Sequence, residues 1–390
     1  MTTFNFNLLS REIGTVDRIA PPPRLRIPLS CQTPVVDAGV ELLAGDKVGR
    51  ALKPESTDLH TPLPGKVIDI RPESILIETT SGGTVKPIDA SSVGDSSLVD
   101  FLADMGICPT PFVKAGTIII NAVPTEPGIT VFDALLRDYR KTVKQGLDAA
   151  KRIIRPSRII LAAPRGDMVN TFNGCSVTHL PPVYPNGLDA MVIKAITGQE
   201  VRLGEMPRDA ILLNVLDLYL IGRVMETGLP ATETVMTVGN KNLRVPIGMP
   251  VRFLLDQFGY TPRHGDRIVL GGLMQGLTAG NIKQGVHPKT MALNVVSQDR
   301  YPPVEDRFCM GCGECVRHCP ARILPNMISR AAEFKLFDRA EQYYINACIE
   351  CGICGYVCKT RRPILQYIRF AKQELALLKG ACEVEAGGET

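Results

Sequence analysis

Cys309-Met310-Gly311-Cys312-Gly313-Glu314-Cys315-Val316-Arg317-His318-Cys319-Pro320 is the stretch on which the reading of this chain turns. Its cysteine spacing returns unchanged at Cys348, Cys351, Cys354 and Cys358. Three thiolates at three-residue steps wrap one loop around one face of an iron–sulfur cube, each meeting a different iron, while the fourth arrives from a distance. A structural zinc ion takes its ligands as two separated pairs, so a third cysteine at the same step is surplus twice over. Disulfides call for an oxidising compartment and usually a small secreted domain. Neither is suggested by a chain of 390 residues.

The pattern is that of a ferredoxin holding two 4Fe–4S clusters, in which the fourth cysteine of each run ligates the other cluster. On that crossing, Cys309, Cys312, Cys315 and Cys358 would hold one cluster, and Cys319, Cys348, Cys351 and Cys354 the second. Gly311, Gly313, Gly352 and Gly355 let backbone amides approach the sulfurs, where their hydrogen bonds help set the potential. Cys31, Cys108, Cys175 and Cys382 have no such company and read as small, mostly apolar buried side chains. His318 reads as a surface or supporting residue rather than a ligand.

The length predicts ~2–4 domains, and 45% hydrophobic with 22% charged residues describes a soluble globular protein. The net charge of +4 counts the cysteines as neutral. Clusters with four thiolates each would offset it, and no aromatic-interleaved basic stripe appears, so no nucleic-acid partner is expected. The N-terminus lacks a basic-then-apolar signal pattern, which with thiolate ligands points to a reducing cytoplasm. The most apolar stretch, residues 210–225, is interrupted by Asn214, Asp217 and Arg223. It falls short of the ~20 clean residues of a membrane helix, so the chain is expected to have no membrane span of its own.

Residues 25–92 read as short strands and turns, with a Gly45-Asp46 turn and a Pro62-x-x-Gly65 turn joining flat strands. The pattern looks like the barrel-sandwich hybrid of lipoyl and biotinyl carriers, but no lysine stands at a hairpin tip in the carrier manner. Thr117-Ile118-Ile119-Ile120, Arg158-Ile159-Ile160-Leu161 and Ala210-Ile211-Leu212-Leu213 are strands of the fully buried kind. A helical pattern runs from Val131 through Leu135, Tyr139, Val143 and Leu147. Strands alternating with helices predict a largely parallel sheet. Residues 230–275 carry short strands with turns at Gly239-Asn240 and Gly265-Asp266 and a helix near 251–258. Between the cysteine runs a helix is expected around Ile328, Ala331 and Ala332. A last helix from Pro363 has Ile364, Ile368, Ala371 and Leu375 on one face, with Arg369 and Lys372 read as a solvated charged face.

The order of these modules resembles the C subunit of the Rnf-type electron transport complex, over nearly the whole chain. The matching stretches are His60-Thr61-Pro62 through Gly65-Lys66-Val67, Ile120-Asn121-Ala122 with Glu126-Pro127, Tyr184-Pro185-Asn186-Gly187 leading to Ile196-Thr197-Gly198, and Gly271-Gly272-Leu273-Met274. The resemblance implies a multidomain α/β and α+β chain. Its parts would be a barrel-sandwich hybrid over 1–94, an α/β domain like the flavin subunit of respiratory complex I over 95–227, a β-grasp module over 228–290, and a helical two-cluster ferredoxin domain over 295–385.

Departures from the family narrow this. Members carry Gly-x-Gly-Gly-Ala-Gly-Phe-Pro-Thr where flavin and NADH phosphates are cradled by backbone amides. Residues 103–114 here read ADMGICPTPFVK, and the later Tyr-Pro-x-Gly-x-Glu-Lys becomes Tyr184-Pro185-Asn186-Gly187-Leu188-Asp189-Ala190. Side chains in place of those glycines block the close approach of phosphate. The site for FMN and NADH therefore reads as degenerate, with Asn121 and Glu126 left from the loop that approaches flavin. The resemblance implies a peripheral subunit on the cytoplasmic face of the cell inner membrane. It would relay single electrons through two 4Fe-4S clusters, partnered by membrane subunits and a redox donor protein such as ferredoxin or a cytochrome. The alternatives are a soluble flavin and iron–sulfur oxidoreductase, cobalamin-reductase-like and using NADH, or an adaptor whose clusters only stabilise a docking domain.

Overall fold

A computed structural model describes residues 7–9, 12–53, 56–165, 172, 174–300 and 308–386, the side chains from 380 onward excepted. Cys382 therefore lies outside the described side chains. The chain divides into two compact units, one of residues 1–196 and 206–296, the other of 197–205 and 297–390. The fold is mixed α/β with a helical, cysteine-rich second unit.

The first unit holds three parts, each built on its own sheet or pair of sheets. Its N-terminal part has two small antiparallel sheets, one of Arg24–Pro28, Ser74–Thr79, Gly65–Arg71 and Glu41–Leu42, the other of Gln32–Pro34, Lys47–Ala51 and Leu59–His60. Alternation decides their faces: Leu25 and Ile27 are buried and alternate with the exposed Arg24 and half-buried Arg26, and Ile75 and Ile77 meet them across the strands. At the Gly45-Asp46 turn the Gly45 amide donates to the Thr61 carbonyl at 2.8 Å. At the other turn a Cβ on Gly65 would lie 2.4 Å from the Glu78 carbonyl oxygen, so the strands close only over a glycine.

A four-stranded parallel sheet follows, ordered Ser176–His179, Arg158–Ala163, Thr117–Asn121, Ala210–Asn214. Ile118, Ile119 and Ile120 are all fully buried, as a strand covered on both faces requires. The helices Arg140–Ile154 and Val215–Thr227 pack against each other through two glycines. A Cβ on Gly146 would sit 1.9 Å from the Leu218 carbonyl oxygen, and one on Gly222 1.9 Å from that of Thr142. The single helical pattern expected from Val131 to Leu147 is two helices, Val131–Asp138 and Arg140–Ile154, broken at Tyr139, whose backbone (φ −128, ψ 30) leaves the helical region.

The third layer is a six-stranded sheet ordered Val16–Arg18, Lys241–Pro246, Glu233–Val238, Ala292–Val296, Arg267–Leu270, Leu277–Thr278. The helix Val251–Gln257 buries Val251, Leu254 and Leu255 in the cluster that holds Met236, Leu243, Ile268 and Leu293. Val16–Arg18 pairs in parallel with residues 242–244.

The second unit is built of the helices Glu314–Arg317, Pro325–Glu333, Phe337–Gln342, Ile353–Tyr356 and Ile364–Ala386. Ile364, Ile368, Ala371 and Leu375 are buried, spaced as one helical face. No helix among the described residues is long and apolar enough to cross a membrane.

Candidate metal centre

The two cysteine runs are conformational copies, offset by 39 positions from Cys309 to Cys348. Gly313 and Gly352 share the left-handed region at φ 74 and 75, and Arg322 and Arg361 at 55 and 54. The short helix Glu314–Arg317 maps onto Ile353–Tyr356, and Pro325 onto Ile364, where the two following helices begin. Open space surrounds Gly311 and Gly313, so it is the backbone angle and not crowding that calls for glycine there. Gly355 sits in a helical turn with open space around it.

Cys319, Cys348, Cys351 and Cys354 line one cavity, closed by Pro320, Ile349, Leu365 and Ile368. Three of these thiols are 7–8% exposed. Burial, then the charge of Cys348 and Cys319, pushes Cys351 up to about 12, and burial with Cys348, Cys351 and Cys319 as neighbours raises Cys354 as well. In the first run, burial raises Cys315, and Cys309, Cys358 and Cys312 add to the effect. Each set of mutually interacting thiols thus draws one member from the other run. Crowded, desolvated thiols of this kind ionise only beside strong positive charge, and the irons of a cluster supply it. The residues fit the group.

Backbone amides point at the sulfurs. The Glu350 N–H donates to Cys348 Sγ at 3.4 Å and the Arg362 N–H to Cys358 Sγ at 3.4 Å. Cys315 accepts from the backbone of Asn326, and Cys351 from that of Ile353. His318 is half-buried, with Nδ1 3.0 Å from the Glu314 carbonyl oxygen. Cys31, Cys108 and Cys175 are half-buried rather than buried, and the Cys108 thiol donates to Thr110 at 3.5 Å.

Arg369 and Lys372 do not form a solvated face, which corrects the expectation for this helix. The helix turns both toward the second cysteine loop, where Arg369 Nε donates to Glu350 at 2.7 Å and Lys372 Nζ at 3.0 Å. Lys372 Nζ also donates to the Cys348 carbonyl oxygen at 2.7 Å. Burial opposes ionisation of Glu350, yet the two cations hold its carboxyl below the usual range. A second ion pair joins Glu333 at 2.8 Å to Arg362, the residue whose amide donates to Cys358 and which is 4% exposed. Neither pair was anticipated from the sequence. The signal was available in the duplication: Glu350 stands where the first copy has Gly311.

Asn121 and Glu126 are both buried in the first unit. Asn121 Nδ2 donates to the Gly187 carbonyl at 3.0 Å and to Asp189 Oδ1 at 2.9 Å, while its own oxygen accepts the Val123 amide at 3.1 Å. Glu126 accepts the amides of Met274 at 2.7 Å and Gln275 at 3.3 Å. Both therefore pin loops to one another. In residues 103–114, Met105, Ile107 and Phe112 are buried in the core around the parallel sheet, and Lys114 is exposed.

Residues 302–359 match the 4Fe-4S dicluster domain. The chain is 30% identical over 284 residues to the C subunit of the ion-translocating oxidoreductase complex of Edwardsiella ictaluri, covering 68% of this chain and 36% of that protein. It is 28% identical over 278 residues to the protein of the same name from Pasteurella multocida, covering 66% and 33%. The chain thus spans about a third of the length of the curated relatives it matches. Two crystal structures of an NAD+-reducing [NiFe]-hydrogenase, air-oxidized and H2-reduced, align with TM-scores of 0.46 and 0.47 at 14% and 12% identity. They cover 65% and 72% of this chain, and 55% and 64% of theirs.

Proposed function

Because the chain is a homologue of the C subunit of ion-translocating oxidoreductase complexes and carries a 4Fe-4S dicluster domain, we propose that it is the peripheral electron-transfer subunit of such a complex. Two 4Fe–4S clusters when bound would supply a one-electron couple each, with the added charge spread over irons and sulfides. Cys309, Cys312, Cys315 and Cys358 hold one, and Cys319, Cys348, Cys351 and Cys354 the other. The observation that carries this reading is the cavity that gathers Cys319 with the three cysteines of the second run.

The protein's own groups do the rest. Apolar walls from Ile349, Leu365 and Ile368 keep water from the second centre, and the Glu350 and Arg362 amides stabilise thiolate charge. The barrel-sandwich, flavin-subunit-like and β-grasp assignments of the first unit belong to this reading. Its supports are the two small antiparallel sheets, the four-stranded parallel sheet and the strand–helix–strand packing around residues 251–257. FMN and NADH are left out of it: Ile107 and Phe112 stand in the loop where the family has glycines and are buried in the core around the parallel sheet, and Asn121 and Glu126 are engaged within the fold. The subunit then needs a one-electron donor protein such as ferredoxin or a cytochrome, and membrane subunits to dock on at the cytoplasmic face.

The test is reduction of the anaerobically purified protein. A chemical one-electron donor bleaches the visible absorbance of the clusters reversibly, and NADH alone leaves it unchanged. Bleaching by NADH alone would replace this reading by that of a flavin oxidoreductase.

A further inference from the structure

The cysteine duplication is close in backbone but not in charge. Gly311 and Glu350 are equivalent, and both lie in the left-handed region, at φ 73 and 55. Glycine adopts that region freely, whereas glutamate is strained there. The first copy shows that the loop needs no side chain at this position, so the glutamate is retained against the backbone's preference. What it gains is the clamp to the last helix: Arg369 Nε at 2.7 Å and Lys372 Nζ at 3.0 Å. All three side chains are a quarter exposed or less. Lys372 also reaches past the carboxylate to the carbonyl of Cys348, 2.7 Å away.

The equivalent helix of the first copy has no such device. The counterpart of Arg369 is Arg330, which is exposed, and the counterpart of Lys372 is Glu333, which pairs with Arg362. The first loop does carry a cation on a ligand's peptide, Arg317 donating to the Cys312 carbonyl at 3.3 Å, but that guanidinium is 59% exposed and paired with Glu314, whereas Lys372 is 18% exposed and bonded to the Cys348 carbonyl.

Resting on the two-cluster reading, we propose that Lys372, fixed on the Cys348 carbonyl beside Glu350 and Arg369, is a positioning residue that raises the reduction potential of the second cluster and so sets the two couples apart. Reduction adds one negative charge to a cluster, and a fixed cation a few ångströms away in a partly desolvated site favours the reduced form. Glu350 has the opposite electrostatic sign and moderates the effect. The cation is held independently of the carboxylate by the Cys348 carbonyl oxygen at 2.7 Å, so it stays at the loop when Glu350 is removed, and the Glu350 amide donates to Cys348 Sγ. A chain whose two centres are copies needs such a difference if electrons are to pass preferentially in one direction.

The experiment is a redox titration of the full-length holoprotein followed by EPR, with iron content as control. Lys372→Met is expected to move one of the two couples to lower potential and leave the other in place. Lys372→Arg, which keeps the cation, restores it. Glu350→Gly, which adopts the residue of the first copy and suits the backbone, is expected to move the same couple to higher potential. Opposite shifts are not what a merely structural role would give. If all three variants retain both clusters and neither couple moves, or if the two charge-removing variants shift it the same way, the proposal is overturned. Should Lys372→Met lose its second cluster, Glu350→Gly alone decides, with an unmoved couple overturning the proposal. A wild-type protein without two reversible couples would instead overturn the two-cluster reading itself.

Discussion

The carboxylate of Glu126 accepts the amide hydrogen of Met274 at 2.7 Å, joining residues 148 apart in sequence. It reaches that amide only because position 272 has no side chain: a Cβ on Gly272 would lie 2.1 Å from the Glu126 carboxyl carbon. Gly272→Ala should therefore destabilise the first unit by on the order of 2–3 kcal/mol, through displacement of a buried carboxylate from its donors. Glu126→Gln, which keeps one acceptor, should cost about 1 kcal/mol. Denaturant melts followed by circular dichroism report both. Unchanged iron content in both variants would show that the link serves the first unit's fold.

Crossed ligation is tested by pairs of cysteine variants. Cys319→Ala combined with Cys351→Ala removes two ligands of one cluster and should leave about half of the wild-type iron. Cys319→Ala combined with Cys312→Ala strikes both clusters and should leave little. If each run instead held its own cluster, the two results would be exchanged.

The helices Arg140–Ile154 and Val215–Thr227 touch through Gly146 and Gly222. Alanine is the better helix former by about 1 kcal/mol, yet each Cβ would stand 1.9 Å from a carbonyl oxygen of the facing helix. Overpacking should prevail, with Gly222→Ala lowering stability by on the order of 2–4 kcal/mol. A melting temperature equal to or above wild type would mean the helices can part at no cost.

Asp133 is 3% exposed, and burial pushes its carboxyl up to about 6 from an ordinary 3.8. A carboxyl raised in the folded state contributes stability that is full below pH 3.8 and is lost as the pH rises through about 6. Asp133→Asn removes that loss. The variant should gain on the order of 2 kcal/mol over wild type at pH 7.5, and the gain should shrink as the pH is lowered from 7 to 5. Thermal melts across that range decide it, and a gain independent of pH would point to packing alone.

Much of this was legible in the residues. The strands around Ile118–Ile120, Ile160 and Leu212 announced themselves because a parallel sheet buried on both faces writes an unbroken apolar run. The buried face of the last helix was equally plain from its spacing. What periodicity cannot give is a partner far along the chain. It placed Arg369 and Lys372 off the apolar face but could not see Glu350 arriving from the cysteine loop. It ran one helix through Tyr139, whose ring instead packs edge-on against Tyr219 at 5.2 Å. Nor could it pair Val16–Arg18 with residues 242–244. Asn121 and Glu126 carried a flavin-site expectation from the resemblance. Their engagement with Asp189 and Met274 depends on loops whose approach only the fold reveals.

The most direct test is iron, sulfide and flavin analysis of the anaerobically purified protein, with EPR of the reduced state. Expected are about eight irons per chain, two interacting reduced signals and no flavin. Four irons, or FMN in stoichiometric amount, would contradict this reading.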